Sequence, residues 1–354
     1  MNNFHDNDQP SSWYGLSELK IKLRQISNES DIFANGRNRV AVDIYIQGTD
    51  SENRQVLVPD NTFWMHTWLI DYNTGEKLSW NRNEEDDFTW CYTYEPNEFT
   101  KTPKPAIASE ISSFTNNKEE YGDALNLSRL TCYVYCSPEA VNETKQIAVL
   151  VVAPNEHEYS SGYGKVYDSF IQLNSKAETI YKFSNKNIAI GKEKLINDFY
   201  DKKTRFKWRQ YNVSVALNLE DKYGKRYIVK LEPDDDYVNI AHQLYHEDRP
   251  FEGYSGYYAH FLWSLGKFKT VSIGKTHWFD LPIDYDLFID IREEPNTICF
   301  TVMSVTIPNY PIVQDQWIDL TINIYDQYGN SGTFLIEPRN DNNEEKSKVH
   351  LKDI

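Results

Sequence analysis

The sequence lacks both the long apolar run of a membrane span and the basic surplus of a nucleic-acid-binding protein. No stretch of about 18 apolar residues occurs, and residues 1–10 have neither the basic nor the apolar segment of a signal peptide. Thirty-seven Lys and Arg against 53 Asp and Glu give a formal charge of −16, which opposes binding to phosphate polymers. We therefore expect no membrane span and no nucleic-acid partner. The expected location is cytoplasmic, or extracellular after release without a conventional signal peptide.

Cysteine is scarce, and its spacing does not predict disulfide bonds. The four cysteines are Cys91, Cys132, Cys136 and Cys299. Cys132 and Cys136 share one face of a predicted strand but stand about 13 Å apart, beyond the roughly 7 Å that a disulfide allows. No CxxC pair occurs, and the expected reducing compartment favours buried free thiols. A cysteine nucleophile would need a histidine nearby in space, and the sequence gives no sign of one.

Motifs that carry catalysis or metal binding are also missing. There is no P-loop, no dinucleotide-binding glycine pattern after a strand and no G-x-S-x-G elbow. His242 and His246 have the spacing of a helical zinc site, but Gln243 stands where the general base should be. Residues 234–236 (DDD) lack the spaced pattern and the glycine of a calcium loop, so calcium binding stays open. We expect no enzyme activity, no cofactor and no metal, and a hydrolase is a distant third hypothesis.

What the sequence does contain is strict alternation of apolar and polar residues. It occurs at residues 40–46 (VAVDIYI) and again at residues 213–219 (VSVALNL), and it is typical of half-buried strands. Each strand is predicted to form a hairpin with a following strand, at residues 56–58 and 227–231. Gly224 would supply the positive φ that the second turn needs. The side chains predicted to face inward are those of Val40, Val42, Ile44, Val213, Val215 and Leu217.

Further landmarks follow the two hairpins in the same order. The matched pairs are Pro59-Asp60 with Pro233-Asp234, residues 131–137 with 298–304, and residues 146–152 with 317–324. Matches in the same order at nearly constant offset indicate an internal duplication. Under this alignment Val42 is equivalent to Val215, and Cys132 is equivalent to Cys299.

We predict an all-β fold of two tandem, internally duplicated β-sandwich domains, of jelly-roll or immunoglobulin-like type. A repeat of about 170 residues is long enough to be a complete domain. The predicted organisation is a flexible segment at 1–14, a first sandwich at 15–195, a second at 196–340 and a charged tail at 341–354. Residues 17–25 alternate as a strand, and the charged residues 192–203 fit a short connecting helix.

The most unusual stretch is residues 251–263 (FEGYSGYYAHFLW), which two glycines mark as a loop. Its tyrosines are suited to stacking on sugar rings or to anchoring a protein partner. A second loop of this kind spans residues 159–167. The alternative is that these aromatic residues cover the sandwich core. The candidate interaction surface consists of Phe251, Tyr254, Tyr257, Tyr258, Trp263 and Tyr163.

Function in such folds is carried by loops and edges, which favours binding or assembly. The leading hypothesis is a non-enzymatic structural protein that self-associates into a particle, sheath, filament or inclusion, with itself as partner. Residues 1–12 and the aromatic segment would make the contacts, and association would rise with salt or toward the sequence pI of about 5.0. The alternative is a lectin-like or toxin-type binding module whose partner is a glycan or another protein.

Overall fold

The computed structural model describes residues 13–80, 88–103, 127–203, 206–233, 237–245, 254–266, 269–272, 288–291, 295–308, 316–336 and 348–354. Strands form almost all of the regular structure, which confirms the all-β class. The chain divides into two compact units, Met1–Glu178 and Thr179–Ile354. This division lies earlier in the chain than the sequence-based boundary at residue 195.

The first unit is built from two sheets. Its strands are β1 (Gly15–Leu23), β2 (Glu29–Phe33), β3 (Val40–Thr49), β4 (Gln55–Val56), β5 (Thr67–Asp71), β6 (Ser79–Trp80), β7 (Trp90–Thr93), β8 (Ser128–Cys136), β9 (Thr144–Val152), β10 (Glu158–Ser160) and β11 (Ile171–Lys176). One sheet has the order β1-β3-β8-β7-β6 with β4 beside β3, and the other has the order β10-β9-β11-β2 with β5 beside β9. The helix α1 (Asp60–Phe63) and the 3₁₀ helices Trp64–His66 and Pro138–Ala140 lie between strands.

The core of the first unit lies between its two sheets. The inward side chains of β3, including Val42 and Ile44, join one apolar cluster with Ile147 and Val149 of β9. Alternation along each strand turns every second residue toward the opposite sheet, which makes this unit a β-sandwich. The predicted burial of β3, the predicted strand at residues 17–25 and the pairing of β3 with β4 are all confirmed.

The second unit has a larger set of sheets. Its strands are β12 (Ile188–Ile190), β13 (Lys194–Tyr200), β14 (Lys207–Leu217), β15 (Glu220–Asp221), β16 (Gly224–Lys225), β17 (Ile228–Glu232), β18 (Tyr237–Tyr245), β19 (Tyr254–Trp263), β20 (Lys269–Ser272), β21 (Phe288–Ile291), β22 (Ile298–Pro308), β23 (Gln316–Trp317), β24 (Leu320–Asp326), β25 (Ser331–Ile336) and β26 (Leu351–Asp353). The largest sheet has the order β12-β14-β22-β19-β18-β23 with β13 beside β14, and it faces a sheet of order β17-β24-β25-β26. The pairs β15-β16 and β20-β21 form two small separate sheets.

The core of the second unit again lies between the two main sheets. Val213, Val215 and Leu217 of β14 pack in one cluster with Ile322 and Ile324 of β24, as predicted for the inward face of β14. Hydrogen bonds also join the largest sheet to the small β20-β21 sheet. The carbonyl oxygen of Asp290 on β21 accepts bonds from Gln210 Nε2 at 2.7 Å and Asn212 Nδ2 at 3.0 Å. These two buried amides of β14 are therefore satisfied by the small sheet.

The predicted second hairpin is wrong. The predicted partner strand at residues 227–231 corresponds to β17, which pairs with β24 in the opposite sheet instead of with β14. A small hairpin, β15-β16, intervenes, and Gly224 adopts the predicted positive φ, at 87°. Alternation fixes which side chains of a strand are buried but leaves its pairing partner undetermined.

The predicted helix at residues 192–203 is also wrong, because Lys194–Tyr200 forms β13. This strand pairs antiparallel with β14, and a β-bulge lies between Leu195 and Asn197. The prediction was based on apolar residues at helical spacing. In the structure the same residues form a strand, and their backbone groups pair with those of β14, which would otherwise lack hydrogen-bond partners on this side.

The predicted equivalence of Cys132 and Cys299 does not hold in the strand register. Val42 pairs with Cys132, whereas Val215 pairs with Ile298, one residue before Cys299. Successive residues of a strand face opposite sides, so this single step moves Cys299 away from the core that contains Ile298. The repeated pattern is therefore preserved as strand order around β3-β8 and β14-β22, but not residue by residue.

Both predicted flexible ends contain ordered residues. Trp13 is buried in the first core, and the amide of Tyr14 donates a hydrogen bond to the carbonyl oxygen of Thr49 at 2.6 Å. At the other end, Leu351 of β26 packs in the second core. The polar composition of both segments gave no indication that Trp13 and Leu351 are part of the two cores. Residues 1–12 and 341–347 lie outside the described residues.

Candidate binding surfaces

The sequence candidates for metal binding do not form a site in the described structure. His242 lies on the strand β18, where residues four apart are not brought together as they are on a helix. His246 and residues 234–236 lie outside the described residues. Among the residues that are described, no group of three or more His, Cys, Asp or Glu side chains is arranged to hold a metal ion. The helices within the described residues are three or four residues long, which is too short to cross a bilayer.

All four cysteines are free and buried, as predicted. Burial raises the pKa of the Cys132 and Cys136 thiols above its ordinary value. The thiol of Cys91 donates to the hydroxyl oxygen of Tyr135 at 3.0 Å. These are the properties of structural thiols, because a reactive cysteine needs an accessible thiolate.

The aromatic segment predicted as a loop is an interior strand. Residues Tyr254–Trp263 form β19, which pairs with β18 on one side and β22 on the other. Trp263 is buried, and its indole Nε1 donates to Thr301 Oγ1 at 2.9 Å, so it belongs to the packed interior and not to a surface. Tyr258 is half-buried, Tyr254 and Tyr257 lie on the same strand, and Phe251 lies outside the described residues.

The remaining predicted residue, Tyr163, does lie at the surface. Its side chain is 71% exposed in the loop of residues 161–169 between β10 and β11, beside the exposed Val166. Two hydrogen bonds close this loop at its base: the amide of Ser169 donates to the carbonyl of Ser161 at 3.0 Å, and Ser161 Oγ donates to the carbonyl of Ser169 at 2.7 Å. The loop is thus a compact projection with fixed ends.

The underside of this loop rests on Tyr72. The Tyr72 hydroxyl donates to Asp168 Oδ1 at 2.6 Å, and the Tyr72 ring lies 4.4 Å from that of Phe170 and 6.0 Å from that of Tyr163. The hydrogen bond to Asp168 raises the pKa of Tyr72 to about 12. An aromatic cluster therefore supports Tyr163 from one side.

A second exposed aromatic group, which we call the aromatic platform, consists of Trp64, Trp80 and Tyr94. Trp64 is 44% exposed and Trp80 is 50% exposed. The ring centroid of Tyr94 lies 6.3 Å from that of Trp64 and 6.4 Å from that of Trp80. Three separate segments supply these rings: a 3₁₀ helix, the edge strand β6 and the residue that follows β7.

Tyr94 fixes the geometry of the aromatic platform. Its hydroxyl lies 3.1 Å from the carbonyl oxygen of Trp64 and 3.2 Å from that of Thr67, and it donates to them. Burial raises the pKa of this hydroxyl, which therefore stays protonated as a donor in neutral solution. The backbone that carries Trp64 is thus tied to the end of β7, while the indole itself stays accessible.

Polar groups border the aromatic platform. Asp60 and Asn61 are exposed on α1, one helical turn before Trp64, which places them beside it on the helical surface. The platform thus combines exposed aromatic side chains with planar hydrogen-bonding groups on the preceding helical turn.

Sequence reasoning missed the aromatic platform. One signal was available: residues 63–65 (FWM) are three successive large apolar residues, and a single chain segment cannot turn all three inward. Phe63 is buried, whereas Trp64 and Met65 are exposed. The approach of Trp80 and Tyr94 had no sequence signal, because it depends on the pairing of β6 with β7.

A third exposed feature is the edge strand β13. Within the described residues it pairs with β14 alone. Leu195 is 50% exposed and Tyr200 is 54% exposed on this strand. An edge strand that carries exposed apolar side chains can pair with a further strand.

No known protein family matches the chain, and no curated protein matches it. Among solved structures, the C-terminal domain of the AgI/II polypeptide BspA of Streptococcus agalactiae aligns at 7% identity, over 95% of this chain and 99% of that one, with a TM-score of 0.22. The C-terminal domain of the antigen I/II-family protein AspA of Streptococcus pyogenes aligns at 7% identity, over 89% of this chain and 98% of that one, also with a TM-score of 0.22. Scores this low do not establish a shared fold.

Proposed function

We propose that this chain is a non-enzymatic binding module that recognises a partner through exposed aromatic residues of its first unit. The observation that carries the proposal is the aromatic platform, where two half-exposed tryptophans flank one anchored tyrosine. Aromatic residues give much contact area for little loss of side-chain entropy, and they are enriched among residues that dominate binding energy.

Rigidity supports this proposal. Trp64 and Trp80 sit on segments joined to the sandwich by backbone pairing and by the hydroxyl of Tyr94. A surface that is already ordered before binding loses less entropy when a partner docks. Large exposed side chains held in place in this way are typical of recognition sites.

The test is a binding screen of the whole chain against two probes, a glycan array and a phage-displayed peptide library. We expect wild-type protein to give reproducible hits on at least one, and the Trp64→Ala/Trp80→Ala variant to lose them. Ile26→Ala is the control, because it removes an exposed apolar side chain of the same unit outside the platform and outside the other candidate surfaces. The proposal is wrong if wild-type protein binds neither probe, or if the double variant retains every hit.

Self-association is the second candidate function, and β13 favours it. Antiparallel pairing of two copies of β13 around Asn197 would set Leu195 of each copy opposite Phe199 of the other, so the edge is self-complementary in its apolar residues. The formal charge of −16 opposes this contact at low ionic strength.

Sedimentation velocity across a concentration series tests this candidate. We expect association to increase with added salt, which screens the repulsion between copies. Leu195→Lys and Tyr200→Lys should return the protein to monomer, whereas Ile26→Lys, at an exposed apolar position in the other unit, should not. A chain that stays monomeric at every concentration and salt level would exclude self-association.

A further inference from the structure

The aromatic platform has the size and chemistry of a carbohydrate site. We propose that Trp64 and Trp80 stack on the sugar rings of a neutral oligosaccharide, with Asp60 and Asn61 bonding to its hydroxyls. This inference rests on the proposed binding function and specifies its ligand class.

The accessible area argues against a protein partner. At 44% and 50% exposure, each indole offers roughly 100 Å² of the 150–250 Å² typical of an aromatic side chain. Even with Tyr94 and Met65 added, the patch remains well below the roughly 800 Å² per partner that a stable protein interface buries. One or two sugar rings present apolar faces of about the size of an indole.

Charge argues against anionic ligands. The chain carries a formal charge of −16, and Asp60 and Glu95, which are exposed next to the platform segments, are acidic. A cation that contacts this part of the chain, Arg39, donates from Nη1 to the carbonyl oxygen of Glu95 at 2.7 Å, and its guanidinium lies 5.4 Å from the ring centroid of Tyr135. Phosphorylated or sulfated ligands would therefore be repelled, whereas a neutral sugar would not.

The chemistry of the rings matches a neutral sugar. The face of an aromatic ring carries partial negative charge and attracts the weakly positive C–H groups that line one side of a pyranose. Asp60 contributes a carboxylate acceptor, and Asn61 contributes both a donor and an acceptor. Vicinal hydroxyls of a sugar can bind such planar groups through paired hydrogen bonds. Both indoles are about half exposed, which suits stacking on a sugar ring. A quaternary ammonium group would instead require a cage of aromatic rings around it.

Affinity electrophoresis tests the inference in native gels that contain a neutral polysaccharide, with dextran, xylan and a mixed-linkage β-glucan as separate probes. We expect wild-type protein to be retarded by at least one probe. Trp64→Ala and Trp80→Ala should each weaken that retardation, and together they should reduce affinity about ten-fold or more. Trp64→Phe should retain part of the binding, because it keeps an aromatic face.

Controls separate this inference from the proposed function. Ile26→Ala, at an exposed position outside the named surfaces, should bind as wild-type does, and circular dichroism should show intact sheet structure in every variant. Retardation that survives the double variant overturns the inference, and so does its complete inhibition by tetramethylammonium, which would indicate an ammonium cage. Protein that binds library peptides through Trp64 and Trp80 but is retarded by no polysaccharide also overturns it, while the binding function stands.

Discussion

Arg226 Nη1 donates a hydrogen bond to Asp326 Oδ2 at 2.8 Å, and neither side chain is exposed to solvent. Asp326 also accepts bonds from the Tyr181 hydroxyl at 2.7 Å and from Asn330 Nδ2 at 3.0 Å. Burial alone would lower the pKa of the Arg226 guanidinium, but its hydrogen bond with Asp221 and the charge of Asp326 leave that pKa raised. This buried ion pair ties the turn between β24 and β25 to the chain before β17.

Arg226→Leu is expected to destabilise the second unit strongly. The substitution leaves Asp326 buried without its cationic partner, and removing one member of a buried pair costs about 3–5 kcal/mol. Urea unfolding followed by circular dichroism would measure the loss. Lys20→Ala, which breaks an exposed pair with Glu18, should cost less than about 1 kcal/mol. Equal effects of the two variants would contradict the structural role assigned to Asp326.

Val215→Asp tests the inward face of β14. Val215 is buried between the sheets of the second unit, and an unpaired carboxylate there should lower the free energy of unfolding by roughly 3 kcal/mol or more. Thr321→Asp is the control, since residue 321 is exposed on β24. A melting temperature for Val215→Asp that matches the control would mean that the face assignment is wrong.

Local patterns predicted the parts of the fold that depend only on neighbouring residues. Alternation in residues 40–46 and 213–219 identified β3 and β14 and the residues that face each core. Over residues 213–217 of β14 the residues between them are partly exposed, whereas in β3 both faces are largely buried, which the alternation did not predict. The strand β19 was not predicted, because its glycine residues suggested a loop. Gly256 resembles a loop residue in sequence, yet it pairs with Thr306 inside the largest sheet.

The candidate site was harder to predict, because its residues are assembled by strand pairing. Trp64, Trp80 and Tyr94 lie on three segments, and only the arrangement of β5, β6 and β7 brings their rings together. The sequence indicated that exposed aromatic residues would matter, and it placed most of them on a segment that proved to be an interior strand. Tyr163 is the predicted residue that the structure places in an exposed loop.

The four cysteines should resist modification in the folded protein. All are buried, and burial raises the pKa of Cys132 and Cys136, so little thiolate is available to react. With Ellman's reagent in mildly alkaline buffer, we expect almost no reaction until denaturant is added, and then the release of four equivalents. Rapid reaction of even one thiol in native protein would show that a cysteine is accessible.

Tyr72 should make the stability of the first unit sensitive to alkaline pH. Its hydrogen bond to Asp168 raises its pKa from 10.0 to about 12 in the folded protein. A group whose folded pKa is raised stabilises the protein fully below its unfolded pKa, and this contribution disappears as pH rises through the folded value. The difference in unfolding free energy between wild-type protein and Tyr72→Phe should therefore be constant below pH 10 and should shrink between pH 10 and pH 12.

Urea unfolding at a series of pH values would measure this difference, with Tyr163→Phe as the control because Tyr163 is largely exposed. A difference that stays the same through pH 12 would mean that Asp168 does not hold the Tyr72 proton.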